Sequence, residues 1–247
     1  MHRRDFLKNA LLAAGVLSFP YLRAGVLADS VSVPADDKEP VSGDFRKSIM
    51  WGTVGMEGSV LDKCKAIKAA GYDGIEPNSH MDRDEVLAAM RETGLVASSV
   101  CNVHHWAKPL SHPDAAVRQE GIDAMIVAME DAKAYGTDAV LLVPGIVNEE
   151  VSYDDCWNRS TECIKELIPT AEKLGVKICI ENVWNNFLLS PVEACNYGDQ
   201  FESPYVKFYF DCGNILVYGW PEQWIDILDN RIGRIHIKEF SRKEADS

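Results

Sequence analysis

Three short apolar runs in the second half of the chain end in side chains that can bind or move charge. ICIEN ends in Glu181 and Asn182, FYFDCGN carries Asp211 and Asn214, and RIHIKEF carries His236 and Glu239. Two carboxylates and an imidazole form a mixed oxygen and nitrogen donor set suited to Mn2+, Mg2+, Co2+ or Zn2+. Singly, each has an ordinary structural explanation: a strand-end acid facing a helix lysine, an acid capping the next turn, a satisfied core histidine. At equivalent places in successive repeats they converge on one rim, and acids and imidazoles gathered there cost free energy unless they bind something.

The elements that must hold them follow from hydrophobic periodicity. Strand-like runs at 48–54, 72–78, 95–103, 139–145, 176–183, 206–214 and 234–240 alternate with helical patterns at 59–71, 82–93, 113–135, 153–174, after Pro191 and from Pro221. Such βα repeats with short crossovers require parallel strands, and the near-continuous apolar run AVLLV fits a sheet covered on both faces. A doubly wound open sheet and a closed barrel both satisfy this pattern. The repeat lengths, and the absence of a dinucleotide fingerprint in WGTVGMEG after the first strand, favour an α/β TIM (β/α)8 barrel, one strand short in this chain.

A barrel places its chemistry at the carboxyl ends of the strands. That rim also collects Trp51, Glu76, Asn78, Asn102 and His104. Glu76 is expected to hydrogen-bond a substrate hydroxyl or pair with a cation. His104, with His105, is expected to bind substrate or a second metal, or else to stand as an exposed loop pair. Trp51, Trp106 and Trp184 offer ring faces to sugar C–H groups, with core or surface packing the plainer explanation.

Composition bounds the rest. A chain of 247 residues, 47% hydrophobic and 26% charged, has a globular composition and the length of one large domain or two small ones. Residues 1–28 set Arg3, Arg4 and Lys8 before the apolar run from Ala10 to Phe19, with Val26 and Ala28 suited to cleavage; this resembles a twin-arginine signal peptide. The expected location is periplasmic or secreted, with no stable membrane anchoring after cleavage. Residues 29–46 lack periodicity and read as a flexible linker, leaving 47–247 for the barrel. The formal charge of −13, more acidic still without the basic leader, argues against a grip on nucleic acid or anionic lipid. Seven cysteines without zinc-finger spacing, several inside apolar stretches, look like buried thiols.

The segments ICIENVWN, FYFDCGN and RIHIKEFSR resemble the sugar isomerase and epimerase group of xylose isomerase-like barrels. That group includes ketose 3-epimerases and hydroxypyruvate isomerase and is related more distantly to AP endonucleases. The third segment is the most specific, because the family's metal-binding His is followed six residues later by an Arg that contacts substrate, here His236 and Arg242. The resemblance implies that Glu181 is a metal ligand doubling as acid/base, with Asp211 and His236 as further ligands. Many members carry a His where Asn214 stands, here expected to face substrate, and the epimerases place a substrate-binding Glu where Phe187 stands.

The family's fourth ligand is a Glu on an eighth strand, which would lie beyond Ser247. The chain is therefore expected to be an incomplete barrel with weak metal binding and little turnover. The chemistry implied is a proton shift beside a carbonyl through an enediolate, assisted by a divalent metal, on a small sugar. Unphosphorylated sugars fit export better. A lyase or hydrolase using a similar enediolate, a non-catalytic sugar-binding barrel, and a nuclease are the alternatives; a homo-oligomer is compatible with all of them.

Overall fold

The structure is a computed structural model that describes residues 46–240. Residues 1–28, most of the 29–46 segment, and Arg242 lie outside the described residues, and with them the export signal and one substrate contact expected from the sequence.

Among the described residues eight short strands are all paired in parallel: β1 (Ser48–Met50), β2 (Gly74–Glu76), β3 (Val96–Ala97), β4 (Val100–Cys101), β5 (Ala139–Leu142), β6 (Lys177–Glu181), β7 (Val206–Asp211) and β8 (Ile232–His236). They form ladders in the order β1-β2-β3 and β4-β5-β6-β7-β8. The helices between them are α1 (Val60–Ala69), α2 (Arg83–Thr93), α3 (Ala115–Tyr135), α4 (Tyr153–Leu174), α5 (Pro191–Asp199), the single turn α6 (Cys212–Ile215) and α7 (Pro221–Leu228). This is the expected βα alternation, curved into a partial barrel.

One expected strand is broken. The run 95–103 pairs with β2 through Val96 and Ala97, then with β5 through Val100 and Cys101, and changes ladder at Ser98 and Ser99. The serines take up the interrupted pairing. Ser98 Oγ donates to Ser48 Oγ at 2.8 Å, and the Ser98 carbonyl accepts from Thr137 Oγ1 at 2.8 Å and from Arg234 Nε at 2.9 Å. The first and last strands are shorter than their apolar runs: Trp51–Thr53 is a 3-10 turn, and the regular part of the last strand ends at His236.

The helices begin and end where local chemistry requires. Ser59 and Asp62 form a reciprocal capping box, and Asp82, Asp114, Ser152 and Ser190 each cap a helix with a side-chain oxygen. The α3 and α4 helices stop at Gly136 and Gly175, whose φ values of 77° and 68° lie in the left-handed region that suits glycine. Helix α4 continues through Pro169.

Strand alternation divides the core in two. Val140, Leu142, Ile178, Ile180, Phe208 and Phe210 point outward into the layer beneath the helices. Cys101, Ala139, Leu141, Cys179 and Tyr209 fill the interior of the sheet instead. The same period puts Glu76, Glu181, Asp211 and His236 on that inner face. The cysteines are all free; Cys64, Cys101, Cys156, Cys163 and Cys179 are buried, as expected, while Cys195 and Cys212 are half-buried. Burial pushes the thiols of Cys156 and Cys179 up to about 12, so these stay protonated and inert.

Candidate metal centre and active site

Register builds the site. Glu181 pairs with Tyr209, and Asp211 pairs with His236, so the last inward-facing residues of β6, β7 and β8 lie side by side. One donor atom from each of Glu181, Asp211 and His236 lies within 4.8 Å of the others. Glu181 is 7% and Asp211 3% exposed, and the His236 ring is half-buried. His236 Nδ1 lies 2.9 Å from Glu181 Oε1, and its Nε2 lies 2.9 Å from Glu76 Oε2 on β2.

Asp211 is fixed on several sides. Its backbone N–H donates to Asn182 Oδ1 at 2.9 Å, and its carbonyl accepts from Asn182 Nδ2 at 2.8 Å. Its Oδ1 caps the α6 turn by accepting from the Asn214 N–H at 2.8 Å, so the ordinary capping explanation is met as well. Oδ2 remains, 3.4 Å from Lys238 Nζ. Lys238 also donates to Asn214 Oδ1 and sits 4.8 Å over the Trp184 ring. Asn214 Nδ2 donates to the Asn182 carbonyl at 2.8 Å, and the Trp184 indole donates to the Asn214 carbonyl at 3.2 Å. Asn214 therefore sits within the scaffold behind Asp211.

Glu76 is 1% exposed and both of its oxygens are engaged: Ser99 Oγ donates to Oε1 at 2.6 Å, and Oε2 faces His236. His104 lies apart from this cluster, half-buried and edge-on to His80 at 4.5 Å between ring centroids. His105 is 6% exposed, and its Nδ1 has no hydrogen-bond partner among the described residues. Trp106 and Trp184 are exposed, and Trp51 is half-buried with Lys63 Nζ 5.5 Å from its ring. Phe187 is buried in an aromatic cluster with Tyr153, Trp157 and Tyr197.

Burial pushes the Glu181 carboxyl up, and His236 beside it pulls only partly the other way. Burial also disfavours a charged His236, but its bonds to Glu181 and Glu76 and their negative charge outweigh this, holding the imidazole well above its usual range. The two upward shifts describe one shared proton, which belongs on His236 because that ring faces two carboxylates.

The residues fit a divalent cation. Three buried carboxylates gather around one imidazole and one lysine, and the oxygen and nitrogen donors of Glu181, Asp211 and His236 are close enough to converge on a single ion. A cavity of about 380 Å³ opens at the opposite end of the strands, between Thr137, Asp138, Gly175 and Arg234, and shares no residue with this site.

Sequence reasoning missed Lys238, Tyr209 and Ser99. Tyr209 and Lys238 stand two residues before Asp211 and two after His236, so strand alternation had put both beside the site. No sequence signal marks Ser99.

A parallel barrel with a carboxylate and imidazole cluster at the carboxyl ends of its strands defines a class of metal-site barrels. Residues 64–247 match the family described as xylose isomerase-like TIM barrel, and the chain belongs to that family. It is 27% identical over 195 residues to L-ribulose-5-phosphate 3-epimerase UlaE of Escherichia coli O1:K1 / APEC, covering 72% of this chain and 68% of that protein. Among solved structures, 3-keto-D-glucoside 4-epimerase YcjR from E. coli superposes with a TM-score of 0.71 at 18% identity, covering 79% of this chain and 80% of that one. D-psicose 3-epimerase, solved in the presence of D-fructose, gives 0.67 at 17% identity, covering 79% and 73%.

Proposed function

We propose that this chain is a divalent-metal-dependent sugar isomerase or epimerase that moves a proton on the carbon beside a carbonyl. The observation that carries the reading is the convergence of Glu181, Asp211 and His236 at the carboxyl ends of three adjacent strands. These three residues would hold the cation, which when bound supplies Lewis-acid polarisation of the sugar carbonyl.

The chain's own residues do the remaining work. Glu181 removes the proton beside the carbonyl, and the upward shift that burial gives its carboxyl makes it a stronger base than an exposed glutamate. Asn182 and the α6 turn lock Asp211 so that its free oxygen keeps one direction. Lys238 offsets the charge of Asp211 and brings the exposed Trp184 ring to the rim, where its outer face can receive the apolar side of a sugar. The export-like pattern of residues 1–28 favours an unphosphorylated sugar, and the acidic balance of −13 speaks against a nucleic-acid substrate.

One observation favours a second reading on the same site. Phe187, where the resemblance puts a substrate-binding carboxylate, is buried in the core. A lyase-type reaction on an oxidised glycoside, through the same proton abstraction, does without that contact. A panel of free ketoses and of 3-keto glycosides, incubated in D2O with the Mn2+-loaded full chain, separates the two readings. Deuterium uptake with an isomeric product supports the isomerase, and loss of the aglycone supports the lyase. Neither deuterium uptake nor loss of the aglycone with any of them overturns both.

A further inference from the structure

We infer that Glu76 is a positioning residue for His236: held by Ser99 and Tyr209, it accepts from Nε2–H and fixes the ring so that Nδ1, which faces Glu181, is the nitrogen that gives up its proton to a bound cation and becomes the metal ligand. This rests on the proposed metal site and assigns Glu76 a role other than substrate contact. The geometry is specific. His236 Nε2 lies 2.9 Å from Glu76 Oε2, a contact joining strands 160 residues apart, and Nδ1 lies 2.9 Å from Glu181 Oε1. Turning the ring over about its Cβ–Cγ bond would present carbon atoms to both carboxylates and lose both bonds.

Glu76 is held in turn. Ser99 Oγ donates to Glu76 Oε1 at 2.6 Å and lies 3.0 Å from the Tyr209 hydroxyl, so serine, tyrosine and glutamate form one buried hydrogen-bonded group. The same Tyr209 ring packs on His236 at 4.1 Å between centroids, so one residue restrains the imidazole from its face and, through Ser99, from its edge. A carboxylate on the far nitrogen of a metal-binding histidine fixes the tautomer and raises the basicity of the ligating nitrogen.

The test is nitrogen-15 NMR of the imidazole in the full chain loaded with Zn2+, with Zn2+ affinity by calorimetry for the parent protein, E76Q, E76A and E181A. The parent is expected to show His236 with hydrogen on Nε2 and metal on Nδ1. E76A is expected to lose that single tautomer and to bind Zn2+ about 10- to 100-fold more weakly. E76Q keeps an acceptor oxygen, so it should restore the tautomer and recover part of the affinity. Metal on Nε2 in the parent protein overturns the inference without any variant having to fold. So does an E76A protein that folds and keeps both parental affinity and tautomer. If instead E181A binds Zn2+ as the parent does, the metal-site reading itself fails.

Discussion

His236 lies between two carboxylates, with Nδ1 2.9 Å from Glu181 on β6 and Nε2 2.9 Å from Glu76 on β2. The imidazole is thereby the point at which β8 meets the first ladder across the barrel interior. Arg234, two residues earlier on the same face, makes a second crossing by donating to the Ser98 carbonyl at 2.9 Å. The strand that supplies the third expected ligand thus adds two crossings to the backbone bridge between Asn78 and Cys101 that already joins the two ladders.

Loss of a ligand should remove metal binding while leaving the fold. E181Q and D211N are near in shape to the parent residues, and each deletes one charge from a crowded acidic cluster. Both should bind Mn2+ at least about 10- to 100-fold more weakly, the range already seen for changes outside the ligand shell. Calorimetry reads this directly, and unchanged affinity in D211N would remove Asp211 from the site.

Asn182 should matter as much for stability as for metal. Asn182→Ala leaves the buried N–H and C=O of Asp211 without their side-chain partners, at about 1–3 kcal/mol for each group left unsatisfied. Urea denaturation should show the midpoint falling and Mn2+ affinity falling with it. A stability equal to the parent's would mean that the clamp on Asp211 is not what fixes it.

His105 should make stability depend on pH. Burial pulls its imidazole down to about 4, so between roughly pH 6.5 and 4 the unfolded chain binds a proton that the folded chain refuses. This contribution is fully present above the unfolded value and is lost as pH falls, with a slope of up to about 1.4 kcal/mol per pH unit. The difference in denaturation free energy between pH 7 and pH 5 should therefore be smaller in H105L than in the parent. Equal differences would place His105 in contact with solvent.

Restoring the carboxylate of the resembling epimerases at Phe187 should fail. Phe187→Glu would bury a charge among Tyr153, Trp157 and Tyr197, at a cost of several kcal/mol or an upward-shifted, neutral acid. Thermal melting should show a large loss of stability with no gain in epimerisation. A stable F187E protein would show that this segment can turn outward.

The parts of the site legible in sequence were those that depend on local pattern. Glu181, Asp211 and His236 each end a short strand-like run, which fixes their height, and the alternation of side chains along a strand puts them on one face. What depends on closure was not legible. Glu76 and His236 were both placed at strand ends, but their contact requires the curvature that brings β2 opposite β8. The break at Ser98 and Ser99 was hidden because two serines between Ala97 and Val100 look like ordinary strand polar residues, and only the change of ladder partner shows their use. Asn214 likewise has the right position for a substrate contact, yet its side chain bonds to Asn182 and Lys238.

The most direct measurement is deuterium exchange on a ketose in D2O, followed by NMR, with the Mn2+-loaded full chain and its E181Q variant. The account predicts slow but measurable uptake at the carbon beside the carbonyl by the parent protein, abolished by chelator and reduced about 100-fold or more in E181Q. Uptake that survives both chelation and E181Q, or no uptake across ketoses and 3-keto glycosides, would contradict it.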